Sequence, residues 1–206
     1  MRVRAVAKLM AILALIHFLL FAVEQGFFCF VRRTKYSDSM VSMAAMILVG
    51  ILLISIARRR KEKLSILPQT FGKAYVMATS VAVVILLITP SNFVGGIEAI
   101  SLLIYASIVT PVFEEILFRG YVWNQLEKIL KNELSVYITT TVLFGVWHLG
   151  YISSISFRVQ TDLANVMVWK VITGLAFGVV LGALRLKTKN CYSTILLHGV
   201  MNVFGR

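Results

Sequence analysis

The chain has 206 residues, 59% of them hydrophobic, with a mean hydropathy of +0.86. That is too apolar for an ordinary soluble domain and points to the membrane. Lys and Arg outnumber Asp and Glu by 21 to 9, an excess expected on cytoplasmic loops; with no soluble segment to carry a basic face, a nucleic-acid role is excluded.

Segments able to cross a hydrocarbon core of about 30 Å, at roughly 20 residues each, fall near 6–30, 40–57, 74–90, 98–123, 135–152, 165–184 and 190–204. The first follows a basic start and could mimic a signal peptide. Its apolar run is too long for one and lacks a clear cleavage site, so it reads as a retained span. His17 and Glu24 within it share a helix face and read as snorkelling or helix–helix hydrogen-bonding residues. The run "RRRKEK" after the second span reads as a topology signal with headgroup contacts. The third and seventh spans are short. Pro68, Pro90 and Pro111 lie in or beside connectors, or near a polar span centre where a broken backbone can be re-satisfied. Cys29 and Cys191 form no framework or ligand cluster and are expected to pack as small apolar residues. Trp123, Trp147 and Trp169 are expected to include interfacial anchors.

The expected fold is therefore all-α: a polytopic membrane bundle of about seven transmembrane helices, with a range of six to eight. Counting Lys and Arg with the amino terminus inside gives 14 in inner segments against 6 in outer ones. An integral, multi-pass protein with a cytoplasmic amino terminus follows, in a chain of bacterial style.

"TPVFEEILFRG", at 110–120, interrupts the fourth span with Glu114, Glu115 and Arg119. A charge at a helix centre costs about 2.5 to 3.5 kcal/mol on insertion scales, so these residues need a reason. Glu115 and Arg119 are i,i+4, the favourable order for an ion pair. Glu114 is turned about 100° away. Phe144 and His148 share a face of the fifth span, and His198 and Asn202 share one of the seventh. At about 1.5 Å per residue, Glu114, His148, His198 and Asn202 fall in one layer. Glu114 beside His148 can hold and deprotonate a water, while His198 and Asn202 can supply N–H donors to an oxyanion. Zinc held by Glu114, His148 and His198 is a minority alternative. It lacks an H-E-x-x-H pair, and no cofactor is expected.

In chain order, E-E-x-x-x-R at Glu114, Glu115 and Arg119, F-x-x-x-H at Phe144 and His148, and H-x-x-x-N at His198 and Asn202 resemble the CPBP family of intramembrane glutamic endopeptidases. That family includes the CAAX prenyl proteases and the bacterial Abi proteins. The resemblance covers roughly 98–206, leaving 1–97 as amino-terminal helices of the same membrane domain. It implies Glu114 as general base with His148, His198 and Asn202 as the oxyanion hole, Glu115 and Arg119 as a structural pair, and Phe144 packed beside the site. The expected activity is that of a membrane endopeptidase cutting a membrane-associated or lipidated peptide near the cytoplasmic membrane face. Two other function classes stand beside this one: a non-catalytic membrane protein conferring bacteriocin immunity, and a small transporter or proton relay using the same residues.

Overall fold

The computed structural model describes residues 2–89 and 92–204, with side chains from Arg4 onward; Pro90 and Arg206 lie outside the described residues. Among these the chain forms helices and no strand. In chain order they are α1 (Arg2–Phe28), α2 (Lys35–Arg59), α3 (Lys73–Ile88), α4 (Ile97–Ile129), α5 (Glu133–Arg158), α6 (Leu163–Thr188) and α7 (Cys191–Phe204). Five of them, α1, α2, α4, α5 and α6, are long and apolar enough to cross a membrane, while α3 and α7 are shorter. The bundle is that of a polytopic membrane protein, as the hydropathy pattern predicts.

Helix α1 shows why the chain packs this way. Leu9, Leu13, Ile16 and Leu20 follow a four-three-four spacing and are buried in the main core, whereas Met10, Leu15 and Phe18 on the other faces stay exposed. One apolar stripe meets protein and the rest meets lipid. Exposed leucines, isoleucines, valines and phenylalanines continue around α2 to α6, which suits a bundle whose solvent is hydrocarbon.

Two ends of the bundle are tied by different chemistry. At one end Asn124 Nδ2 donates to the Lys63 carbonyl and to Ser65 Oγ, the Cys191 N–H donates to the Ser65 carbonyl, and Lys128 and Gln125 pair with Glu62. At the other end the buried carboxylate of Asp38 accepts from Arg33 at 2.8 Å, from Arg158 at 2.8 Å and from Ser154. This fastens the start of α2 to the end of α5. Thr34 caps α2 in a reciprocal box with Ser37.

Several expectations are corrected here. Helix α4 runs on to Ile129, beyond the span expected at 98–123, because Trp123, Asn124 and Leu126 are buried and Trp123 Nε1 bonds Glu127 one turn ahead at 2.8 Å. Trp123 and Trp147 are core residues at 2% and 3% exposure, and Trp169, at 60%, is the exposed one. Cys191 packs inside, but Cys29 is exposed. His17 stacks on Trp147 with ring centroids 3.5 Å apart and bonds its carbonyl, and Glu24 accepts from Ser42, so both serve helix–helix contacts.

Candidate active site

Helix α4 is not a uniform α-helix. It carries π-helical turns at Tyr105–Val109 and Ile116–Val122, on either side of the glutamate pair. The first precedes Pro111, which has no N–H to give. In π register the Thr110 N–H reaches the Tyr105 carbonyl, and the next carbonyl, of Ala106, loses its donor at the proline. Asn202 Nδ2 from α7 donates to it at 2.8 Å. The proline gap thus holds the Asn202 amide through one of its two N–H bonds, and among the described residues the other has no partner.

Glu114 and Glu115 are both buried, at 2% and 0% exposure, yet they face different partners. One Glu115 oxygen accepts from Arg119 Nη1 at 2.9 Å and from His198 Nδ1 at 2.9 Å. Arg119 also lies over the Phe144 ring at 4.2 Å, and Phe144 meets His148 and His198 edge-on at 5.0 and 6.1 Å. Glu115 is thereby more than Arg119's structural partner. It fixes the proton of His198 on Nδ1 and turns Nε2 toward Glu114, whose Oε2 stands 3.8 Å away. That gap is too long for a direct hydrogen bond.

His148 Nδ1 sits 2.8 Å from the Phe144 carbonyl, which can only accept. The ring proton is therefore on Nδ1, and Nε2 keeps its lone pair. Gly174 makes room for this ring: a Cβ there would come within 2.6 Å of His148 Nδ1. Gly178 and Gly182 continue the same face of α6 against Thr141 and Tyr137 of α5, the small-residue packing that brings membrane helices together. The G-x-x-x-G-x-x-x-G pattern at 174–182 was a legible signal for this contact.

Tyr151 is the functional candidate that sequence reasoning missed. Its hydroxyl donates to Glu114 Oε1 at 2.6 Å and accepts from Trp147 Nε1 at 2.9 Å. One Glu114 oxygen is thus taken and the other is left for a ligand. The signal was available in the spacing, because Tyr151 is three residues past His148, across a 3-10 turn at His148–Tyr151.

Glu114, Tyr151, His148, His198 and Asn202 all line one cavity of about 400 Å³. Glu114 and His148 each lie fifteen residues from the same end of their helices, at Ile129 and Glu133, about 22 Å by helical rise. Among the described residues no three His, Cys, Asp or Glu side chains converge as metal ligands. His198 gives Nδ1 to Glu115 and His148 gives Nδ1 to the Phe144 carbonyl, so each ring turns its Nε2 toward the cavity.

The family described as type II CAAX prenyl endopeptidase, Rce1-like, matches residues 96–204. The chain belongs to that family. Rce1-like endopeptidases are proteases, so this one is a CAAX-type hydrolase carried by a membrane bundle. No curated protein and no solved structure matches the chain. The Rce1-like region contains α4 to α7, and hence every cavity residue from Tyr105 onward, whereas Ser42 and Met46 of α2 line the same cavity from outside it.

Proposed function

We propose that the protein is an intramembrane endopeptidase in which Glu114 activates a water against a peptide carbonyl. The observation that carries this is one cavity bounded by Glu114, His148, His198 and Asn202. Glu114 Oε2 is its only carboxylate oxygen not bonded to Tyr151, and it accepts the proton of a bound water. The lone pair on His148 Nε2 takes the second hydrogen bond of that water and aims it. As the hydroxide adds to the carbonyl carbon, the carbonyl oxygen becomes an oxyanion. The second N–H of Asn202 donates to it, and His198 Nε2 does so as well in the imidazolium form, whose extra proton is taken from solvent before the substrate binds and is retained through the cycle, with Glu115 as its counter-charge. Collapse breaks the C–N bond, and the amine leaves with the proton held at Glu114. Donors of this kind are worth about 10² to 10³ in kcat each, and a positioned base about 10² to 10⁴.

The substrate on this reading is a membrane-associated or lipidated peptide. The protein sits in a bacterial plasma membrane with its amino terminus cytoplasmic, and helices of 1–97 support a catalytic core of 98–206. Purified protein in detergent, given a quenched membrane-anchored peptide, should turn it over in a chelator-insensitive reaction. Glu114→Ala and His148→Ala should each lower kcat by at least 10²-fold. Turnover indifferent to both changes would sink the mechanism. Biological activity that survives both inactive variants would favour an immunity protein acting by binding, and Glu114-dependent proton flux without cleavage a transporter.

A further inference from the structure

We infer that the cleavage pocket opens on the non-cytoplasmic face of the membrane, so that its substrates are peptides presented from outside the cytoplasm. The role of the pocket rests on the function proposed above; its sidedness rests on packing and charge alone.

Toward one end the site is sealed. Between Glu114 and the end of α4 at Ile129, Leu117, Phe118, Val122 and Leu126 are each at 0% exposure and Trp123 is at 2%. Arg185, also buried, closes this layer by donating from Nε to the Arg119 carbonyl at 3.0 Å. Toward the other end the cavity is continuous. Its wall climbs from His148 through Tyr151 and Ser154 to Arg158 on α5, and from Gly174 to Lys170 on α6. His148 lies ten residues below Arg158, about 15 Å by helical rise, which an extended peptide covers in roughly five residues.

The charges identify the two ends. Among the residues whose side chains are described, the sealed end carries thirteen Lys and Arg: Arg4 and Lys8, five in the 58–63 run, Lys73, Lys128, Lys131, and three between 185 and 189. The open end carries five among the same described residues, and two of these, Arg33 and Arg158, share the buried carboxylate of Asp38. Lys and Arg near membrane surfaces accumulate on the cytoplasmic side, so the sealed end faces the cytoplasm and the pocket faces away from it. A cut near the cytoplasmic face, expected from the sequence, is not what this geometry supports. Depth along the helices places the layer of the site but does not say which end of the bundle is plugged. The substrates that fit are membrane-anchored peptides whose scissile bond lies below the outer surface with about five extended residues leading to it.

Cysteine labelling and sided vesicles test this. In a Cys29→Ser background, Arg32→Cys at the open end, Lys170→Cys in the pocket wall and Lys61→Cys at the sealed end are made singly, all at exposed positions. A membrane-impermeant maleimide should label Arg32→Cys and Lys170→Cys in intact cells, and Lys61→Cys only after permeabilisation. The reverse pattern, or Lys170→Cys reacting only after permeabilisation, overturns the inference. Sealed right-side-out vesicles of the unmodified protein should cleave an impermeant quenched peptide, and inside-out vesicles should not. Cleavage by inside-out vesicles alone overturns the sidedness and leaves the protease reading standing. No cleavage by either vesicle or by solubilised protein overturns the protease reading, and the labelling still decides the sidedness.

Discussion

Two adjacent glutamates in one helix divide their work because each carboxylate finds different donors. Glu115 is held by Arg119 and His198, and Glu114 by Tyr151. Removing Arg119 leaves a carboxylate buried at 0% exposure without its counter-charge, a change that costs about 3 to 5 kcal/mol. Arg119→Ala should therefore lower the thermal midpoint in detergent sharply, while Glu114→Gln should leave it nearly unchanged and abolish turnover. Tyr151→Phe tests the other carboxylate. It removes a hydrogen bond to a charged group, worth about 1.5 to 3 kcal/mol, and keeps the ring that packs against Trp147 and His148 at 6.3 and 5.8 Å. Steady-state kinetics should show kcat falling by about 10- to 100-fold with KM little changed. A change in KM alone would mean that Tyr151 touches substrate and does not position Glu114. The identities of Glu114, His148, His198 and Asn202 as candidates were legible in their spacing. The double engagement of Glu115 and the part of Tyr151 were not, because both depend on which face of α7 or α5 meets α4.

Helices α5 and α6 carry the clearest element-scale device. The glycine face of α6 lets α5 approach until His148 lies where a side chain at 174 would be. Gly174→Ala must displace the imidazole or part the helices, with a cost of about 1 to 3 kcal/mol for overpacking. Turnover should fall much further than the thermal midpoint, since a 1 Å misplacement of a catalytic group is itself worth about 10²-fold. Gly72→Ala, at a position with nothing within 4 Å of the added carbon, is the control and should leave both measurements unchanged. Helix existence and order were readable from hydropathy. The continuation of α4 to Ile129 and its π turns were not, because they follow from burial of Trp123 and from the carbonyl that Pro111 leaves to Asn202.

At the scale of the whole molecule, the basic end is stitched by small exposed contacts. Lys128 and Gln125 donate to Glu62 in the α2–α3 connector and hold its carboxyl below the ordinary carboxylate range. A carboxyl lowered in the folded state stabilises above its unfolded value, near 4.3, and loses that contribution as pH falls through the folded value. The pair is exposed, so it is worth under about 1 kcal/mol. Thermal midpoints of the wild type and Glu62→Gln should differ slightly at neutral pH, converge in acid, and approach each other in high salt. The sequence by itself determined that this is a membrane bundle, which residues are too polar for their spans, and the family to which their spacing belongs. Those are properties of composition and helical period, and both are written along the chain. Only the tertiary structure decided that Glu115 serves His198 as well as Arg119, that Tyr151 occupies one oxygen of Glu114, and that the core plugs the basic end of the pocket. Each of these is a contact between helices, set by how their faces pack, and no single helix's sequence specifies its neighbour's rotation or depth.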